Sequence, residues 1–159
     1  MSGSSPFRKA VEETPNLAAS FRAGLRALRA QDRPHIQAED TRRLTGSVDV
    51  DTSLQKVEPN ANRWDFAIGY KHTNQDAEVL YWVELHTASD AEVKVVIKKA
   101  SWLLSWLAAD GKKLAAFQRE IIWVSSGVTS FTLTDPHIKL MAQAGLRHVG
   151  SRLRIRNER

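Results

Sequence analysis

Two carboxylates and a histidine stand inside otherwise apolar stretches of this chain. Asp65 lies in the run RWDFAIGY and Glu84 in the run VLYWVELHT, with His86 two residues further on and therefore on the same face of a strand. A buried carboxylate is costly unless it is paired, hydrogen-bonded or bound to a cation. Two such groups on neighbouring strands repel each other, and a divalent ion relieves that repulsion. Mg²⁺ (or Mn²⁺) suits the site, because Mg²⁺ takes few protein oxygens and keeps several waters.

One lysine falls on the inward side of the helix predicted after this strand. At 100° per residue, Lys99 lies among the apolar positions and almost directly above Glu92, whereas Lys94 and Lys98 fall on the polar side. Two interpretations follow. Lys99 or Glu92 reaches the carboxylates from the helix, or the two form a structural pair at the sheet surface, with the lysine stem covering apolar area.

The elements that must position these residues follow from hydrophobic periodicity and turn chemistry. In chain order they are a helix over 16–30, strands over 46–54, 63–70 and 79–87, a helix over 89–109, a strand over 120–124, a helix over 135–145 and a strand over 147–155. Ser89 and Glu92 form a capping box at the start of the long helix. The first three strands are close enough to form a meander, and the later strand–helix–strand units imply right-handed crossovers with parallel pairing. The predicted class is α/β, in the order α-β-β-β-α-β-α-β, with a mixed central sheet and helices on both faces.

This order of elements, taken with the carboxylates, resembles the PD-(D/E)XK, or restriction-endonuclease-like, nuclease superfamily. That core has a first helix, a three-strand meander, a crossover helix and a further strand–helix–strand. The family places an Asp on the second strand, after a Pro, and Glu-x-Lys on the third. Here Trp64-Asp65 stands at the first position and Glu84-Leu85-His86 at the second. The likeness covers about residues 15–155.

The family's lysine is replaced here by His86, whose neutral imidazole can act as a base near pH 7. Members of the superfamily also move the lysine onto the following helix, where Lys99 lies. The resemblance implies a metal-dependent nuclease that hydrolyses phosphodiester bonds, in DNA rather than RNA. Asp65 and Glu84 would bind Mg²⁺ or Mn²⁺ together with the carbonyl of Leu85, and His86 or Lys99 would position the attacking water.

Two further carboxylates, Asp49 and Asp51, are spaced to share one face of the first predicted strand. In a protein of this family one of them would be an extra carboxylate near the metal. The other interpretation is that both lie on the solvent face of that strand.

The net charge of +5 is concentrated at the C-terminal end of the chain. Residues 137–159 contain six Lys or Arg and one acid, so the preceding residues balance to zero. A basic end is expected where a protein contacts phosphate. Arg147, Arg152 and Arg154 would then hold the nucleic-acid backbone without reading its sequence. The alternative is a solubilising tail, since charged runs are usually solvated.

Length and composition indicate a single globular domain. The chain has 159 residues, of which 42% are hydrophobic and 26% are charged. This length and this hydrophobic content are enough to build one core. We expect residues 1–12 to be disordered and residues 13–159 to form one nuclease-like α/β domain. There is no cysteine, no secretion signal and no apolar run of membrane length, so we expect a cytoplasmic protein without a membrane partner. The expected partner is nucleic acid, and a homodimer or a larger complex is compatible with the sequence.

Two other functions compete with the nuclease interpretation. The first is a member of the same fold that has lost catalysis and binds nucleic acid, which the replacement of the Glu-x-Lys lysine favours. The second is a protein-interaction partner of the immunity or antitoxin kind, in which the strand carboxylates are structural. Fold alone does not fix function. Affinity for a divalent metal separates the nuclease from both alternatives.

Overall fold

The computed structural model describes residues 4–127 and 134–159 of the chain. The α-helices in these residues are α1 (Pro6–Glu12), α2 (Val50–Leu54), α3 (Val93–Ala108), α4 (Lys112–Ala115) and α5 (Asp135–Gln143). The strands are β1 (Phe21–Arg22), β2 (Ile36–Ala38), β3 (Leu44–Asp49), β4 (Phe66–Tyr70), β5 (Val79–His86), β6 (Gln118–Ser125), β7 (Leu146–His148) and β8 (Leu153–Ile155). None of the helices in this part of the chain has the length and apolar character needed to cross a membrane.

Six strands form one mixed sheet in the order β1-β3-β4-β5-β6-β7, and β2 pairs with β8 in a separate parallel ribbon. Neighbours from β1 to β5 are antiparallel, whereas β5, β6 and β7 are parallel to one another. The predicted α/β class, the meander and the parallel second half are confirmed. The carboxyl ends of parallel strands meet at one edge of a sheet, where α/β proteins commonly place their sites.

The helices cover only one face of the large sheet. Each of the five contributes buried residues to the same core, for example Phe7 from α1, Leu103 from α3 and Met141 from α5. The opposite face is covered by a second core that includes Leu28 and the β2–β8 ribbon. The prediction of helices on both faces is therefore wrong. The segments that reach the second face are short and alternate buried with exposed residues, a period that suits strands.

The helix predicted over residues 16–30 is absent from the structure, which has turns there and the short strand β1. Leu17 is buried in the core under the helices, whereas Leu28 is buried in the core on the opposite face. The chain thus crosses from one face to the other within this segment. Gly24 has φ +53°, a left-handed conformation that a continuous helix excludes. The apolar residues whose spacing predicted a helical stripe are divided between two separate cores.

Residues 6–12 form helix α1, within the segment 1–12 for which the sequence predicts disorder. Ser5 caps α1 by accepting a hydrogen bond from the Arg8 N–H at 3.1 Å, and Pro6 occupies the first helical turn. Phe7 and Val11 are fully buried on the inward side of this helix. Burial of these two side chains explains why so short and polar a segment folds onto the sheet.

The last strand predicted, over residues 147–155, is split into β7 and β8 by a turn. Gly150 has φ +81°, and its carbonyl accepts a hydrogen bond from the Ser125 N–H at 2.7 Å. A left-handed residue interrupts the extended backbone, so the chain leaves the large sheet after His148. It then joins the ribbon on the other face.

Candidate active site

Asp65 and Glu84 lie together at the start of β4 and near the carboxyl end of β5. Phe66 pairs with Val83, so the preceding Asp65 stands opposite Glu84. Two crossed hydrogen bonds join them, because the Asp65 N–H donates to Glu84 Oε1 at 3.2 Å and the Leu85 N–H donates to Asp65 Oδ2 at 3.0 Å. Glu84 is 0% exposed and Asp65 is half-buried. The predicted proximity of the two carboxylates is confirmed, and their sharing of one ion stays a prediction.

Lys99 reaches this pair from α3. Its Nζ donates to Glu84 Oε2 at 2.5 Å, and its side chain is 22% exposed. Lys94 and Lys98 on the same helix are exposed, as the helical period predicted. The amphipathic packing of α3 therefore selects one lysine out of three and places its ammonium on the buried carboxylate.

His86 bridges two carboxylates at the end of β5. Its Nε2 is 2.7 Å from Glu92 Oε2, and its Nδ1 is 3.6 Å from Glu84 Oε2. Glu92 thus contacts His86 and not Lys99, so the structural pair considered between Glu92 and Lys99 is not the one observed. The predicted capping box is also wrong, because Ser89 makes no side-chain cap hydrogen bond and the Glu92 carboxylate faces the histidine.

Burial and charge shift the pKa values of three groups in this cluster. Burial, and after it the neighbouring Glu84, raises the pKa of Asp65 to about 7, against the opposing effect of Lys99. The carboxylate of Glu84, and after it that of Glu92, raises the pKa of His86, although burial acts in the opposite direction. For Lys99, burial lowers the pKa, and the combined attraction of Glu84 and its neighbours more than offsets this, so the net shift is upward.

The donor set fits a small, hard cation of the Mg²⁺ kind. Among the described residues no group of three or more His, Cys, Asp or Glu is arranged to hold an ion. Mg²⁺ does not need such a cage, because it is usually held by one or two carboxylates and retains its own waters. The pKa of Asp65 near 7 shows a carboxylate that Lys99 compensates only in part, and added positive charge would stabilise its ionised form.

The two aspartates of the first predicted strand have separate roles at the margin of the cluster. That strand ends earlier than predicted, and Asp49 caps α2 by accepting from the Thr52 N–H at 2.9 Å. Asp51 accepts from Arg63 Nε at 2.9 Å, and its charge contributes to the raised pKa of Asp65. Asp49 is therefore a helix cap, whereas Asp51 lies near the site and is paired with an arginine.

A serine–histidine contact that the sequence did not single out lies on the same face of the sheet. His148 pairs in register with Trp123, which itself pairs with Glu84. Ser125 Oγ is 2.5 Å from His148 Nε2, and Ser125 is buried. Burial lowers the pKa of His148. Only the register of the parallel strands brings these residues to the carboxyl edge, so no local sequence signal marks them.

The predicted phosphate-binding arginines do not flank the carboxylates. Arg147 pairs in register with Ile122 and so points to the face opposite Glu84. Arg152 and Arg154 belong to the turn and ribbon that cover that same opposite face. The sheet therefore separates these three residues from the cluster of Asp65, Glu84 and Lys99. They do not border that cluster, and their contact with a nucleic-acid backbone stays a prediction.

Comparison of the chain with models of protein families, with curated protein sequences and with solved structures gives no match. Membership of the PD-(D/E)XK superfamily thus stays a prediction from the residues and the order of elements.

Proposed function

We propose that the chain is a metal-dependent nuclease that hydrolyses phosphodiester bonds, in DNA rather than RNA. One observation carries the proposal. Lys99, on the helix that follows β5, places its ammonium 2.5 Å from the buried Glu84, and Glu84 also accepts a hydrogen bond from the Asp65 N–H. Two carboxylates and a lysine drawn from three separate segments meet at the carboxyl edge of the parallel strands, which supports a site for charged chemistry.

Asp65, Glu84 and the backbone carbonyl of Leu85 would hold Mg²⁺ or Mn²⁺. Such an ion supplies Lewis-acid polarisation of the phosphate when it is bound. Lys99 holds Glu84 in place and would position the attacking water, the role that the resemblance implies for it. Because Lys99 lies on α3, the proposal does not require a lysine at residue 86.

His86 is suited to hold and move a proton. Glu92 fixes the ring from one side through Nε2, while Nδ1 faces Glu84. A carboxylate behind an imidazole orients the ring and stabilises its protonated form. Because the two carboxylates raise the pKa of His86 from its ordinary value of 6.5, the group takes up a proton more readily near neutral pH.

The test is a cleavage assay with labelled single- and double-stranded DNA and RNA, in Mg²⁺ or Mn²⁺ and in EDTA. We expect cutting that EDTA abolishes, and we expect Asp65→Asn and Glu84→Gln to remove it, since each alters a metal ligand. Lys99→Met should also impair cutting. Lys98→Met, on the exposed side of the same helix, is the matched control and should cut normally.

Cutting retained by Glu84→Gln would exclude the proposed site.

A specific observation also favours the inactive module of the same fold as a second candidate. Glu84 already has Lys99 at 2.5 Å and the Asp65 N–H at 3.2 Å, so this carboxylate has partners without an ion. If titration calorimetry detects no Mg²⁺ or Mn²⁺ binding at millimolar concentration, the inactive module replaces the nuclease.

A further inference from the structure

A cleft rich in arginine lies on the face of the sheet opposite the carboxylates. It encloses about 650 Å³, and its charged lining residues are Arg147, Arg152, Arg154 and Arg156. The other lining residues, Val149, Ser151 and Leu153, are uncharged, so no acid lines the cleft. We call these four arginines and the space between them the arginine cleft. Four positive charges converge there on a concave surface.

The local backbone presents three of these arginines in a row. Burial alternates along β8 and its flanks, where Leu153 and Ile155 are buried and Arg152, Arg154 and Arg156 are exposed. Alternate residues of a strand point the same way and are spaced by about 6.6 Å. That spacing is close to twice the rise per nucleotide along the axis of a duplex, which is about 3.4 Å. The planar guanidinium group matches phosphate through paired hydrogen bonds.

Neighbouring carboxylates leave most of this charge uncompensated. Arg147 lies 3.8 Å from Glu120, whose other oxygen pairs with Arg159 at 2.5 Å. Glu39 lines the adjacent groove, where it accepts a hydrogen bond from the Asn157 N–H. Within the part of the chain that the structure describes, Arg152, Arg154 and Arg156 form no ion pair. Their positive charge is therefore available to an external anion.

We propose that the arginine cleft binds the phosphodiester backbone of nucleic acid, as a holding surface separate from the carboxylate cluster. The choice of nucleic acid among polyanions rests on the proposed function, whereas the anion-binding surface itself does not. β7 is the edge strand of the large sheet and carries Arg147. A strand held in the cleft can thus continue around this edge toward the face that carries Glu84.

The proposal is tested by measuring the affinity of the full chain for labelled DNA in EDTA, at several salt concentrations. The triple variant R152Q/R154Q/R156Q should bind at least about tenfold more weakly than the unchanged protein at 50 mM salt, and its slope of log K against log salt should be smaller by about 3. The control K98Q/K112Q/K113Q removes the same net charge from exposed positions elsewhere. It should retain most of the affinity and of the slope.

Equal losses in both triple variants would overturn the proposal, because affinity would then follow net charge and not the cleft. Absence of DNA binding by the unchanged protein would overturn it too. If heparin competes as strongly as DNA of equal charge, the ligand of the cleft is an acidic protein or polysaccharide and not nucleic acid. All six positions are exposed, and the fold of each variant is to be checked by circular dichroism. Because binding is measured in EDTA, a protein that binds through the cleft and fails to cut refutes the proposed function alone.

Discussion

Replacing Lys99 with methionine should destabilise the protein through the charge that it leaves behind. Methionine keeps an unbranched apolar stem but removes the ammonium at 2.5 Å from Glu84 Oε2. Glu84 is fully buried, and its remaining cationic neighbour is His86 Nδ1 at 3.6 Å. Removing one partner of a buried ion pair costs about 3 to 5 kcal/mol.

We expect the lower end of that range, about 3 kcal/mol, because His86 and water at the partly exposed position offset some of the loss. For a chain of this size that corresponds to a fall in Tm of roughly 6 to 12 °C. Urea unfolding followed by tryptophan fluorescence measures the free energy directly. Trp64, Trp82 and Trp123 are all fully buried and report on the same core.

A double-mutant cycle separates the charge pair from other effects of the substitution. The variants are K99M, E84Q and K99M/E84Q, with K98M as the exposed control, which should change stability by less than about 0.5 kcal/mol. We expect a coupling of about 1 to 3 kcal/mol and a double variant more stable than K99M alone. Additive effects, or a K99M protein as stable as K98M, would show that Lys99 and Glu84 do not interact as described.

Divalent ions extend the same experiment to the proposed metal site. In K99M an added cation can take over the charge that the ammonium supplied, so Mg²⁺ should stabilise this variant more than it stabilises the unchanged protein. If the dissociation constant is about 1 mM, 10 mM Mg²⁺ adds about 1.4 kcal/mol. The double variant, which lacks Glu84, should lose this response. An identical Mg²⁺ response in all variants would argue against metal binding at Glu84.

Three further outcomes follow from the geometry. The pKa of Asp65 is raised to about 7, so the stability it contributes is full below about pH 4 and is lost as the pH rises through 7. Asp65→Asn should remove that loss. The free energy of unfolding of this variant, relative to that of the unchanged protein, should therefore rise by about 2 to 4 kcal/mol between pH 4 and pH 8. The same pH dependence of urea unfolding in both proteins would contradict this prediction. In an NMR titration the pKa of the His86 imidazole should lie above 6.5, and Glu84→Gln should lower it, since the interaction with Glu84 is the main cause of the raised pKa. Phe7→Ala should cost about 3 to 5 kcal/mol if α1 belongs to the core, whereas the exposed Lys9→Ala should change stability by less than about 0.5 kcal/mol; equal effects in the two variants would mean that α1 is not packed.

The central elements could be predicted from the sequence because their patterns are local. β4 and β5 are runs of mostly apolar residues that are buried almost throughout, β6 is buried in its second half, and α3 has an apolar stripe with the period of a helix. The same regularity made the exceptions visible. Asp65 and Glu84 interrupt apolar strands, and Lys99 interrupts an apolar helix face, so residue type alone marked them as candidates.

The errors arose where one apolar spacing suits more than one structure. Leu17 and Leu28 fit a helical stripe, yet they belong to cores on opposite faces of the sheet. Phe7 and Val11 lie in a short segment whose polar neighbours predicted disorder, and their burial depends on a sheet formed much later in the chain. Local pattern does not say which core receives an apolar residue, because that depends on distant segments.

The α/β class, the strands of the meander and the residues whose charge is out of place in them could be predicted from the residues alone. The partners of those charges depend on how the segments pack. Glu92 contacts His86 and leaves Lys99 to Glu84, because the start of α3 brings Glu92 to the end of β5 while the next turns carry Lys99 over the buried carboxylate. The arginines were likewise visible as a basic end, but the turn at Gly150 moved most of them to the other face. Charge and hydrophobicity are properties of residues, whereas proximity depends on how segments far apart in the chain pack together.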